Sequence, residues 1–124
     1  MKIIEKNEGK KIDYSLTGTM LEFADGALTL NLARYQQDTT TTRDIMVDND
    51  GYLTTGRGRY YAAQVEIPAA EYKETVVERE DAAEQGDTGE GGSMNRDTII
   101  RERLPLDTEK VTLYLFSIEG IIIH

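Results

Sequence analysis

The residues able to do chemistry fall in a few short stretches. Asp48-Asn49-Asp50-Gly51 sets two carboxylates two residues apart beside a glycine, which suggests a calcium loop. With Gly51 at the sixth position, an EF-hand loop would begin at Met46 and end at Arg57. A hard cation needs carboxylate oxygens at both ends of that loop, and neither residue supplies one. Asp48 and Asp50 are therefore at most weak candidates for a looser cation site. The same residues read more simply as a hairpin turn, because Asp-Gly accepts the positive φ angles a tight turn demands.

Gly56-Arg57-Gly58-Arg59-Tyr60-Tyr61 is the compact basic and aromatic cluster of the chain. Guanidinium groups and tyrosine rings stack on bases and hold phosphates. The lysine and hydroxyl of a phosphate-binding loop are missing. Arg57, Arg59 and Tyr60 thus form a candidate ligand surface, set against the plainer expectation of a turn entering a strand.

Nucleophilic catalysis has little to work with. There is no cysteine, and the single histidine is His124, the last residue. Ser15, Ser93 and Ser117 would each need a base other than histidine. Two carboxylates could do acid–base work. With 23 acidic residues some pair will lie close by chance, so that possibility has no sequence specificity. The expectation is a protein that is not an enzyme, with no catalytic residues, no cofactor and no metal.

The elements that position these groups alternate with period two, as half-buried strands do. Ala27 to Ala33 places Leu28, Leu30 and Leu32 on one side. Arg59 to Ile67 places Tyr61, Ala63, Val65 and Ile67 on one face. Lys110 to Ile118 is apolar on both faces, which predicts an interior strand. Asp25-Gly26 and Asp50-Gly51 predict two hairpins. Pro68 to Gly86 admits a helix, with Pro68 at its first position and Gly86 just past its end. The β-branched Thr75-Val76-Val77 favours a strand instead.

Two segments carry mirror-image charges: Thr75-Val76-Val77-Glu78-Arg79-Glu80 and Thr98-Ile99-Ile100-Arg101-Glu102-Arg103. Run antiparallel, they can oppose Glu78 to Arg103, Arg79 to Glu102 and Glu80 to Arg101, and such cross-strand pairs help set register. Charges at three consecutive positions fall on both faces of the ribbon, so that end cannot be sandwiched in a core. Between the segments, residues 81–97 hold five acids, one arginine and four glycines. Little there can be buried, and a flexible loop is expected. The six charged residues form a candidate interaction arm.

The fold expected is all-β: a single domain over 1–124, an antiparallel sandwich or small barrel of about seven to nine strands. A hairpin with strands near 71–80 and 98–104 is expected to project from it. A net charge of −9 disfavours binding to nucleic acid. No stretch reaches the length of a membrane span. The absence of cysteine and of an apolar leader suits the cytoplasm. Gly120-Ile121-Ile122-Ile123-His124 is either a short final strand of the domain or an apolar tail that docks on another subunit.

These features suit a non-enzymatic binding or structural module with a protein partner or self-association. A small subunit of a larger assembly, such as a phage-like particle, is one form of it. The alternative is a ligand-binding domain using Arg57, Arg59 and Tyr60. A small carboxylate-based hydrolase comes third.

Overall fold

The structure is a computed structural model that describes residues 1–78 and 97–124. It is mostly β. In chain order the strands are β1 (Lys2–Glu5), β2 (Tyr14–Thr17), β3 (Met20–Phe23), β4 (Leu28–Asn31), β5 (Thr41–Val47) and β6 (Leu53–Thr55). They continue with β7 (Tyr60–Ile67), β8 (Tyr72–Glu78), β9 (Asp97–Arg103) and β10 (Thr112–Leu115). The described residues divide into two compact units, Met1–Ala70 with Pro105–His124, and Glu71–Leu104.

The larger unit holds a five-stranded sheet, order β1-β10-β7-β5-β6, and a three-stranded sheet, order β2-β3-β4. Their inner faces share one apolar core: Leu21, Phe23 and Leu30 from the small sheet join Ile45, Val47, Ala63, Val65 and Leu113 from the large one. This is the two-layer arrangement expected when each sheet has one apolar face to bury. β10 lies inside its sheet, as its two apolar faces predict. Its pairing with β1 is parallel, so the large sheet is mixed rather than purely antiparallel.

Two local readings need correction. The strand expected over Ala27 to Ala33 stops at Asn31, whose side chain caps a one-turn helix, α1 (Leu32–Tyr35), by accepting from the Ala33 N–H at 3.2 Å. Asparagine at a cap satisfies an amide that the first helical turn leaves unpaired. In β7, Ile45 faces Ala63 but Met46 faces Tyr61, so Ala62 is an extra, bulged residue. The bulge resets the alternation. Ala62 and Ala63 are both buried, and Tyr61, expected on the inner face with Ala63, is exposed.

The smaller unit is the antiparallel ribbon β8–β9, so the strand rather than the helix is what forms near 71–80. Its register differs from the one the charges suggest. Arg103 faces Tyr72 rather than Glu78, Glu102 faces Lys73, and Arg101 faces Glu74. Arg79 and Glu80 lie outside the described residues, as do residues 81–96 of the expected loop; Asp97 is already in β9. The expected register would have placed Pro105 opposite Val76, and proline has no N–H for the ladder. The observed one pairs Thr75, Val76 and Val77 with Ile100, Ile99 and Thr98. Opposite charges still meet, at Lys73–Glu102 and Glu74–Arg101, so complementarity survives with different partners.

Candidate functional site

The Asp48–Gly51 turn closes the β5–β6 hairpin and is internally paired. Asp48 Oδ1 accepts from the Asp50 N–H at 2.8 Å and the Tyr52 N–H at 2.9 Å. The Asp48 N–H donates to Tyr52 O, and the Gly51 N–H to Asp48 O. The Asp48 carboxylate therefore holds the turn by mimicking a backbone acceptor, the habit of aspartate in turns. Gly51 has φ +88°, and a Cβ there would come within 2.6 Å of Ile122 O and 2.7 Å of His124 Cδ2. Glycine is thus required twice, for conformation and for the close approach of the chain end. No group of three or more metal-ligating side chains occurs among the described residues.

That chain end packs on the same turn. The His124 N–H donates to Gly51 O at 2.8 Å, and the His124 ring tilts against Tyr52 with centroids 5.5 Å apart. Ile118 is buried, and Ile121 and Ile123 pack on the core, whereas Ile122 is 74% exposed. The last residues belong to the fold of the larger unit without forming a strand. A cleft of about 260 Å³ lies between turn and tail, lined by Asp48, Asp50, Tyr60, Ile122 and His124 among others.

The Arg57/Arg59/Tyr60 cluster is spread out. Arg57 sits in the β6–β7 connection, where its carbonyl accepts from Thr54 Oγ1. Arg59 Nη1 donates to Asn49 Oδ1 at 3.3 Å, and its guanidinium lies 5.4 Å from the Tyr60 ring centre. Tyr60 lines the cleft, but neither arginine does. Arg59 is joined to the cleft's rim through Asn49, and Arg57 is not among the lining residues. Of the serines, Ser15 lies exposed in β2 and Ser117 Oγ accepts from the Glu119 N–H at 3.2 Å; Ser93 is outside the described residues.

The ribbon is built differently. Val76, Ile99 and Ile100 are 60%, 62% and 49% exposed. Facing pairs put Glu74, Val76, Ile99 and Arg101 on one face and Lys73, Thr75, Ile100 and Glu102 on the other. The Arg101 guanidinium stacks 4.1 Å from the Tyr72 ring centre on the first face. Apolar surface is thus presented on both faces, and no third strand joins either edge among the described residues.

What sequence reasoning missed is the cleft, which arises where residues 118–124 return to the turn some 70 positions earlier in the chain. The one local hint was Gly51 itself. No protein-family model matches the chain, and comparison with curated proteins and with solved structures finds no match for it.

Proposed function

We propose that the chain is a non-enzymatic interaction module that engages protein through the β8–β9 ribbon, as a small subunit of a larger assembly. One observation carries this: a two-stranded ribbon whose β-branched residues are exposed on both faces and whose edges have no further strand among the described residues. Two-stranded ribbons are marginal alone, and open edges are templates for another strand. Edge addition supplies affinity through backbone hydrogen bonds and specificity through alternate side chains. A net charge of −9 favours protein over nucleic acid as the partner. The absence of cysteine suits a reducing compartment such as the cytoplasm.

Site-specific photo-crosslinkers at Val76 and Ile99 test this in cells that make the protein, with Tyr52 on the larger unit as control. The expected result is one recurrent, mass-identified protein adduct from both ribbon positions and not from Tyr52. Adducts at Tyr52 alone would overturn the reading.

The cleft beside Tyr60 supports a second reading, a ligand-binding domain that holds a small polar ligand between turn and chain end with Arg59 at its rim, the Arg57/Arg59/Tyr60 surface contributing through Arg59 and Tyr60. Shape complementarity with a few convergent polar groups is what such sites need. Amide shifts of Gly51 and His124 on adding a ligand library would support it; a silent cleft would end it.

A further inference from the structure

We infer that Arg43 and Tyr35 form a receptor for the carboxylate of a small organic acid, held on the in-plane edge of the Arg43 guanidinium. This goes beyond the readings above, since neither residue belongs to the ribbon or lines the cleft.

The strand places the arginine. Side chains alternate along β5, so Arg43 shares a face with Ile45 and Val47, both buried in the core. Across the ladder it faces Val65, which is also buried. A guanidinium in such surroundings is normally paired, because taking its charge out of water is costly. Arg43 is half-buried, and its Nε is sealed from solvent without an acceptor. No carboxylate among the described residues makes an ion pair with it. The adjacent acid, Asp44, falls on the opposite face and accepts from Gln64 Nε2 at 2.8 Å. The chain has 23 acidic residues against 14 basic ones, so a guanidinium without a carboxylate partner is not explained by a shortage of acids. A buried polar group without a partner calls for an account, and a bound ion is one.

Tyr35 orients the group. It ends α1, and the next residue, Gln36, is buried with its amide Nε2 donating to Pro68 O at 3.2 Å. That bond anchors the stretch of chain that carries Tyr35. The Tyr35 ring packs on the core and its centre lies 4.7 Å from Arg43 Cζ. Stacking covers the face of the guanidinium but accepts none of the N–H groups along its edge. It also holds the fork in place, so little side-chain freedom is lost when a ligand arrives. The Tyr35 O–H, at the rim of the same ring, has no acceptor among the described residues. An anion on the guanidinium edge beside the phenol accepts from both residues.

Shape and charge select the ligand. The two Nη groups are coplanar and match the two oxygens of a carboxylate, which gives parallel N–H···O bonds. With Nε sealed, the Nη edge is the one offered. A phosphate dianion also fits the fork, but a net charge of −9 opposes it more than it opposes a monoanion. The fork lies on the core-facing side of β5 and is only partly exposed, so a small acid reaches it more readily than a carboxylate carried on a folded surface.

The test follows the Nε–H signal of Arg43 by NMR in the isotope-labelled full chain, assigned by its loss in Arg43→Lys. Sodium acetate is expected to shift that signal saturably, together with the backbone amides of Tyr35 and Val65. Sodium chloride at equal ionic strength is expected to leave them in place. Sodium phosphate is expected to bind about threefold more weakly than acetate. Arg43→Lys keeps the charge and loses the fork, and is expected to weaken acetate binding about tenfold, read at the Val65 amide. Tyr35→Phe keeps the stack and loses the O–H, and is expected to weaken it about threefold. Shifts that are equal in acetate and chloride, or that never saturate in acetate, would overturn the inference. So would a folded Arg43→Lys variant that binds acetate like wild type; if that variant does not fold, an unchanged acetate affinity in Tyr35→Phe overturns the two-residue site. Tighter binding of phosphate than of acetate would overturn the carboxylate assignment.

Discussion

The Asp48–Tyr52 turn and the β8–β9 ribbon are both rich in charge, yet they use charge in opposite ways. In the turn, Asp48 spends its carboxylate on two backbone amides, and the chain end closes over Gly51. In the ribbon, Lys73 faces Glu102 and Glu74 faces Arg101 across the strands, while Val76, Ile99 and Ile100 remain exposed. The turn contributes to stability; the ribbon has its backbone and apolar groups directed outward. A charged cluster is a candidate for recognition when its backbone and apolar neighbours are left over, and not merely because it is charged.

The contrast can be broken most severely at Gly51. Gly51→Ala combines positive φ with close approach to Ile122 O, and is expected to cost about 3 kcal/mol of unfolding free energy in a urea titration. Asp48→Ala removes one acceptor that serves two amides and is expected to cost about 1–2 kcal/mol. Asp48→Asn keeps a carbonyl oxygen there and is expected to recover most of that loss, which would show that the oxygen rather than the charge matters.

Part of this was legible in the sequence. Asp25-Gly26 and Asp50-Gly51 announced their hairpins because turn chemistry is local. Ala24 at φ +52° was not legible, since alanine gives no signal for a left-handed conformation. The charges of Glu78 to Glu80 and Arg101 to Arg103 implied that the segments pair, and the glycine-rich stretch between them, a poor crossover, implied an antiparallel ribbon; the charges gave the wrong register. Lys73 and Glu74 stand six positions before Arg79 and Glu80 with the same signs, so a slip of six keeps two opposite-sign pairs, while Arg103 comes to face Tyr72 and Glu78 to face Asp97. Pro105 and the pairing of Val76 with Ile99 decided the matter, and neither involves charge. The bulge at Ala62 reversed the expected side of Tyr61, because a bulge depends on the neighbouring strand. The cleft needed the return of residues 118–124, a long-range contact with no local pattern to announce it.

Smaller effects sharpen the contrast. Ala24→Gly relieves a left-handed alanine and is expected to stabilise by about 1 kcal/mol, read as a higher Tm. Val76→Ala in the ribbon is expected to change unfolding free energy by less than about 0.5 kcal/mol, since Val76 is 60% exposed. A large loss at Val76 in dilute protein would mean that the ribbon serves stability as the turn does.

The most direct test of the central claim is residue-resolved amide hydrogen exchange of the ribbon at low and high protein concentration. Edge pairing predicts that Ile100 and Glu102, bonded within the ribbon, are protected at both concentrations, and that Ile99 and Arg101 gain protection only at the higher one. Exchange at Ile99 and Arg101 that stays fast at every concentration, or slow at every concentration, would contradict it.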